Sequence, residues 1–144
     1  MDDAVVHSNV PMPEGTLKAA LGSTDQNYSE DIRKGKVLLI FLSTSCSACK
    51  KDVKTIAEAM PELDANVKVY GITIEDADRA RQYISDYHPS FPLLIDNGAK
   101  IFEALSVKYF PTKILLEDGT IKKTWFGSAP DKAGFLKDIG IGGV

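Results

Sequence analysis

Cys46 and Cys49 are the residues of this chain whose type and spacing most directly suggest chemistry. They are the only cysteines among 144 residues, and two residues separate them. Thiols at this spacing can close a disulfide and exchange it with another dithiol. An apolar run at 37–42 precedes them and predicts a buried strand, and a helical pattern follows. This context favours thiol–disulfide exchange, with the Cys46–Cys49 disulfide as the redox group and no other cofactor or metal.

The order of the two cysteines along the predicted helix gives them different roles. Cys46 begins the helix, where unpaired N–H groups and the helix dipole favour negative charge. We therefore expect the pKa of Cys46 to fall below the free value of about 8.5, which would make Cys46 the nucleophile. Cys49 lies one turn further in, should be more buried, and would resolve the mixed disulfide. Lys50 and Lys51 add positive potential if they point toward the motif.

Asp52 and three hydroxyl residues near the cysteines each have two interpretations. A partly buried carboxylate beside Cys49 could have a raised pKa and shuttle a proton as an acid and base. Asp52 could equally be a solvated acid that interacts with the helix dipole. Ser43, Thr44 and Ser45 shape the loop, and their hydroxyls could bond a thiolate. The alternative for Ser45 is simple capping of the helix.

The rest of the sequence predicts the elements that must position these residues. Residues 1–15 are expected to form an extended arm, and residues 16–35 fit either a helix or two short strands that turn at Gly22-Ser23. Apolar runs predict strands at 37–43, 67–74, 93–95, 112–117 and 120–126. Helical spacing predicts helices at 46–60, 75–86, 100–105 and 130–139. This alternation indicates one α/β domain over residues 1–144, with a central mixed sheet flanked by helices on both faces.

Composition and charge argue against several other classes of protein. The chain is 44% hydrophobic, as expected of a globular protein that buries a core. Its formal net charge of -3 argues against nucleic-acid binding, which requires a basic surface. No apolar run approaches the roughly 18 to 20 residues that span a bilayer. Met1-Asp2-Asp3 is acidic where a secretory signal is basic, so either the protein is cytoplasmic or a leader has been removed.

Several segments outside the cysteines match one known pattern when they are read together. They are Gly-Lys-Val at 35–37, Val-Tyr-Gly-Ile at 69–72, Phe-Pro-Leu-Leu-Ile-Asp at 91–96, Phe-Pro-Thr at 110–112 and Glu-Asp-Gly at 117–119. With the CxxC, they make residues 35–139 resemble the TlpA/ResA-like branch of the thioredoxin-fold thiol-disulfide oxidoreductases. The chain differs from that pattern in the dipeptide between the cysteines, Ser-Ala, which lacks the frequent proline, and at three further positions. Ser45 replaces the usual Trp, Asp52 replaces the usual Glu, and Ile40 stands where thioredoxins carry a buried Asp.

The resemblance implies a substrate contact, a reaction and partners. It implies that Pro111 is cis and lies against the CxxC, and that Phe110 presents its backbone to a substrate chain. Core packing is the alternative for Phe110. The substrates would be protein thiols and disulfides, such as apocytochrome c or another extracytoplasmic protein, and a membrane thiol reductant would recycle the chain. We therefore expect a monomeric, extracytoplasmic (periplasmic) reductase whose leader has been removed, with a cytoplasmic location still open.

Three other functions are compatible with the residues. Ser43 stands three positions before Cys46, which faintly resembles the peroxidatic Thr-x-x-Cys pattern, so a peroxiredoxin-like thiol peroxidase on the same fold is one alternative. A copper-binding chaperone is another, but it needs a histidine near the thiols, and the chain offers only His7 and His88. The third alternative is an interaction domain in which the CxxC forms a stable structural bridge.

Overall fold

A computed structural model of the protein describes residues 10–12, 15–19, 28, 30–62, 67–105, 107 and 110–126. Within these residues the chain forms seven strands and three α-helices. The strands are β1 (Val10–Pro11), β2 (Leu17–Ala19), β3 (Lys36–Phe41), β4 (Lys68–Thr73), β5 (Leu93–Asp96), β6 (Thr112–Glu117) and β7 (Thr120–Phe126). The helices are α1 (Ser47–Ala59), α2 (Ala77–Tyr87) and α3 (Lys100–Ala104), with 3-10 turns at Asp31–Arg33, Met60–Glu62 and Asn97–Ala99. The predicted turn at Gly22-Ser23 and the predicted helix at 130–139 lie outside the described residues.

The seven strands form one mixed sheet in the order β1-β7-β6-β3-β4-β5-β2. β3 and β5 run parallel to β4, and the other neighbouring strands are antiparallel. At the centre of the sheet, residues 37–41 of β3 are at most 1% exposed. A strand covered on both faces needs a continuous apolar run, which is the pattern seen in the sequence. The predicted α/β fold with a central mixed sheet is confirmed.

Alternate residues of β3 point into two separate cores. Leu38 and Ile40 lie in the first core with residues of α1 and α2. Leu39 and Phe41 lie in the second core with residues of α3 and of the turn at Asp31–Arg33. Helices therefore cover both faces, as predicted, and α1, which follows the first cysteine, is fixed against the first face of the sheet.

The N-terminal residues that the structure describes belong to the sheet. Val10 pairs with Ile121 of β7, and the amide of Met12 donates a hydrogen bond of 2.8 Å to the carbonyl of Gly119. This part of the predicted arm is extended, but it is a sheet edge rather than a separate segment. In the ambiguous stretch after it, β2 pairs with β5, so residues 17–19 are a strand and not a helix.

The ends of several elements differ from the prediction by one or two residues. α2 begins at Ala77 rather than at Glu75, because the Asp76 carboxylate caps the helix by accepting a 2.8 Å hydrogen bond from the Arg79 amide. The hairpin of β6 and β7 has the predicted bounds. Asp118 and Gly119 form its turn with φ values of 52° and 83°, the left-handed conformations that a two-residue hairpin turn requires.

Candidate active site

Cys46 is the N-cap of α1. Its backbone is extended, and its Sγ accepts a hydrogen bond of 3.1 Å from the amide of Cys49. The sulfur therefore satisfies one of the free N–H groups at the helix end, at the point where the helix dipole favours negative charge. The interpretation of Ser45 as the cap was wrong. Ser45 lies one residue too early, and its Oγ lies 3.2 Å from the Oγ of Ser43.

The Phe110–Pro111 segment lies beside the first cysteine. The peptide bond between these residues is cis, as the resemblance implied. The Sγ of Cys46 donates to the carbonyl oxygen of Phe110 over 3.5 Å. The ring of Phe110 is half-buried and lies 5.9 Å from the ring of Phe102, so it also takes part in packing. The structure thus brings Cys46, Phe110 and Pro111 together, as the resemblance implied.

Cys46 and Cys49 differ sharply in their surroundings. Both are free thiols; Cys46 is half-buried and Cys49 is only 1% exposed. Burial and, secondly, the hydrogen bond with Cys46 raise the pKa of Cys49, and the charge of Asp52 acts in the same direction. A thiol that holds its proton and is shielded from solvent suits a second, internal step. The predicted difference in burial between the two cysteines is present.

Asp52 is a buried residue, so the interpretation of a solvated acid was wrong. It is fully buried on α1, three residues after Cys49. Its Oδ2 accepts a 2.7 Å hydrogen bond from the Nζ of Lys113, the second residue of β6. Sequence reasoning missed Lys113. The available signal was a lysine directly before the apolar residues at 114–116 of a predicted strand, but its partner depends on which helix lies above that strand.

Glu75 is a second residue that the sequence prediction missed, because it is the first residue of the helix predicted at 75–86. Its Oε1 accepts hydrogen bonds from the amide and hydroxyl of Thr44 and, at 3.4 Å, from the hydroxyl of Ser43. Burial alone would raise the pKa of Glu75, but these hydrogen bonds and the charge of Arg79 outweigh it and lower the pKa below its ordinary value. The hydroxyls of Ser43 and Thr44 therefore hold the loop through Glu75 instead of contacting the thiols.

Lys50, Lys51 and His88 have positions that differ from those of the residues around Cys46. The ammonium of Lys50 lies 4.9 Å from the centre of the Tyr87 ring, and Lys51 is exposed. His88 is exposed at the end of α2, and His7 lies outside the described residues. Among the residues that the structure describes, no three His, Cys, Asp or Glu side chains are grouped as a metal site would require.

The match to a family model decides where this chain belongs. Residues 9–126 match the model of the AhpC/TSA family, and this stretch contains both cysteines, Asp52, Glu75 and Lys113. The chain belongs to the AhpC/TSA family.

Named relatives of this AhpC/TSA chain agree with the predicted resemblance. It is 28% identical over 115 residues to the thiol-disulfide oxidoreductase ResA of Bacillus thuringiensis (strain Al Hakam), an alignment that covers 76% of this chain and 66% of the relative. It is 26% identical over 124 residues to the thioredoxin-like protein YneN of Bacillus subtilis (strain 168), covering 83% and 72%. The chain thus spans slightly less than two thirds of the ResA protein. The ResA-like resemblance is confirmed.

A solved structure shows the same fold in a third protein. A secreted Mycobacterium tuberculosis disulfide oxidoreductase homologous to E. coli DsbE superimposes with a TM-score of 0.69 at 18% identity, over 87% of this chain and 93% of that one. The thioredoxin-like fold predicted for this AhpC/TSA chain is confirmed. Across the described ranges, every helix is too short or too polar to span a bilayer.

Proposed function

We propose that the protein is a thiol–disulfide oxidoreductase that exchanges its Cys46–Cys49 dithiol with the disulfides of protein substrates and acts as a reductase. One observation carries this proposal: a partly accessible sulfur caps the start of α1, and a buried second thiol lies one turn behind it. The named ResA relative is a thiol-disulfide oxidoreductase, which supports dithiol exchange over the alternatives of a thiol peroxidase or a copper-binding chaperone.

The proposed reaction has two displacements. The thiolate of Cys46 attacks one sulfur of the substrate disulfide, and the other substrate sulfur leaves as a thiolate and takes up a proton. Cys49 then gives its proton to Asp52 and attacks the sulfur of Cys46. The Cys46–Cys49 disulfide forms, the second substrate sulfur leaves as a thiolate, and two electrons have passed to the substrate. Asp52 is thus the acid and base of the second step.

Phe110 and Pro111 are proposed to receive the substrate chain. The carbonyl of Phe110 already lies 3.5 Å from the sulfur of Cys46, so a substrate disulfide bonded to that sulfur would have its backbone next to Phe110. Pro111 has no N–H, so at that residue the segment has no backbone donor that could compete with an amide of the substrate. A substrate amide could therefore pair with the Phe110 carbonyl while the mixed disulfide exists.

The proposal also includes the partners of the protein and its location in the cell. The substrates are proteins with accessible disulfides, apocytochrome c or another extracytoplasmic protein among them, and a membrane thiol reductant returns the chain to its dithiol form. We place the monomeric protein outside the cytoplasm; the M. tuberculosis protein of the same fold is described as secreted.

Insulin reduction with dithiothreitol as the electron donor tests the proposed function. Cys46→Ser should abolish turnover, because the attacking sulfur is gone. Cys49→Ser that has been reduced and then freed of dithiothreitol should leave the first attack intact and accumulate mixed disulfides with insulin, visible on non-reducing gels and absent from Cys46→Ser. Full activity of Cys49→Ser would refute the two-thiol reaction. Faster turnover of hydrogen peroxide than of insulin by the unmodified protein would favour the peroxidase instead.

A further inference from the structure

A buried ion pair joins α1 to β6 directly behind the two cysteines. The side chains of Lys113 and Asp52 are 5% and 0% exposed, and their charged atoms lie 2.7 Å apart. In the sheet, Lys113 has Ile40 and Trp125 as its neighbours on the two adjacent strands. Removing two charges from water carries a large desolvation cost, and well-packed apolar residues are often more stable in such places. Fold stability alone therefore gives little reason for this pair.

The pair connects the two segments that carry the redox site. Asp52 follows Cys49 by three residues, so the two side chains lie on the same side of α1. Lys113 follows Phe110 by three residues, and the carbonyl of Phe110 contacts the sulfur of Cys46. The ion pair is thus continuous with Cys49 on one side and with the cis segment on the other.

We propose that Lys113 is a positioning residue of the resolving step: its ammonium holds the Asp52 carboxylate inside the protein through their 2.7 Å contact, ready to accept the proton of Cys49. This inference rests on the proposed function. In the step, the S–H bond of Cys49 breaks, the proton moves to a carboxylate oxygen of Asp52, and the sulfur forms its bond to Cys46 as the substrate thiolate leaves. Lys113 keeps its own protons throughout, and Asp52 later returns its proton to solvent.

The charges around Asp52 explain why a cation is needed there. In the part of the chain that the structure describes, the ionisable groups beside it or beside Cys49 include Cys46 and Cys49 on α1, Tyr83 on α2 and Lys113 on β6. Of these four, Lys113 supplies the positive charge, and the others are neutral or become anions. A buried aspartate without a cation takes up a proton rather than remain charged, and a protonated Asp52 could accept nothing from Cys49.

Ellman's reagent separates the two steps in one experiment. One equivalent of the reagent is mixed with the reduced protein in a stopped-flow instrument between pH 5 and pH 9. Attack by Cys46 releases a first thionitrobenzoate, and attack by Cys49 on the resulting mixed disulfide releases a second. Lys113→Met should leave the first rate within about twofold and slow the second about tenfold near pH 7, less than the roughly hundredfold or more that a general base contributes, because Asp52 itself is still present. The midpoint of the second rate should rise by about one pH unit.

Control variants distinguish this role from a structural one. Lys113→Arg keeps the charge and should restore most of the second rate. Lys123→Met, an exposed lysine on the adjacent strand β7, should change neither rate. If Lys113→Met does not fold, the double variant Asp52→Asn with Lys113→Met supplies an uncharged pair in the same space. Its second rate should be slow, whereas its first rate should match the unmodified protein.

Two results would overturn the inference. An unchanged second rate and pH profile in folded Lys113→Met would show that the cation does nothing for Cys49, and the same conclusion would follow from an unchanged second rate in the double variant. Equal slowing in Lys113→Met and Lys113→Arg would assign Lys113 a packing role only. Failure of the proposed function looks different, because the unmodified protein itself would then release no second thionitrobenzoate.

Discussion

At the scale of single residues, Glu75 fixes the loop that precedes the first cysteine. It lies two residues after the end of β4, and it binds Thr44 and Ser43 of the neighbouring β3–α1 loop through one carboxylate oxygen. The other oxygen lies 3.6 Å from Arg79. The loop that presents Cys46 is therefore held by a charged acceptor from a different part of the chain, and its rigidity depends on the ionisation of that acceptor.

Glu75→Gln should weaken this anchor in a manner that depends on pH. Because the pKa of Glu75 is lower in the folded protein than in the unfolded chain, its stabilisation is complete above the ordinary glutamate range and is lost as the pH falls through the folded pKa. We expect Glu75→Gln to lower the free energy of unfolding by about 1 kcal/mol at pH 7 and by less near pH 3. Urea denaturation at both pH values measures this, with exposed Glu103→Gln as the control; equal losses at both would contradict it.

The residues of the site differ in whether the nearby sequence is enough to recognise them. Cys46, Cys49, Phe110 and Pro111 could be proposed as site residues because their spacing and neighbours in the sequence match the family pattern. Lys113 could not, because its role depends on a partner 61 positions away on another element. A charged residue inside an apolar run shows that something compensates it, but only the arrangement of α1 above β6 shows what that is.

At the scale of elements, Asp96 links β5 to α3. Its two carboxylate oxygens accept hydrogen bonds from the amides of Ile101 and Phe102, at 3.2 Å and 2.8 Å. The five-residue helix is too short to be stable by itself, so a buried acceptor at its start and the apolar residues that it buries must hold it. The turn between β5 and α3 places Gly98 and Ala99 in left-handed conformations and lets the carboxylate reach these amides.

Asp96→Ala should destabilise the protein by about 1 kcal/mol or more, since it removes both acceptors from a buried helix end. Asp78→Ala is the matched control, because that aspartate side chain is 97% exposed in the first turn of α2. Guanidinium denaturation compares the two. A loss no larger than that of Asp78→Ala would mean that the amides of Ile101 and Phe102 find other partners at little cost.

Long elements could be predicted and very short ones could not. The strands at 112–117 and 120–126 have the predicted bounds, because six or seven residues carry a clear pattern and Asp118-Gly119 marks the turn. β1 has two residues and β2 has three, which is too few to show any period. β1 forms because it pairs with the edge of β7, and β2 forms because it pairs with the edge of β5. These partners lie far away in the sequence, so the residues of β1 and β2 alone do not predict them.

At the scale of the whole molecule, the N-terminal part of the described chain closes both edges of the sheet. β1 lies at one edge beside β7, and β2 lies at the other beside β5. Met12 and Leu17 bury their side chains in the second core, which is the core on the face opposite α1. The guanidinium of Arg33 donates to the carbonyl of Met12 at 2.9 Å. Stability and chemistry thus depend on opposite faces of one sheet.

Leu17→Ala should therefore reduce stability without changing the reactivity of Cys46. A fully buried leucine reduced to alanine costs about 2–5 kcal/mol. The first release of thionitrobenzoate from Ellman's reagent should stay within about twofold of the unmodified protein at a temperature where both are folded. Thermal denaturation and stopped-flow absorbance measure the two effects, with exposed Lys36→Ala as the control. A parallel loss of reactivity would show that the two faces are coupled.

The capping of α1 by a sulfur that also reacts has a consequence for the helix itself. When Cys46 is bonded to a captured protein, its sulfur is neutral and a poorer acceptor than an anion for the Cys49 amide. The first turn of α1 is then less stable while Cys46 is bonded to a substrate than it is when Cys46 is free. The rate of deuterium uptake at the Cys49 amide should therefore report the fraction of the protein that is bonded to a substrate. NMR can measure this rate without any added label on the protein.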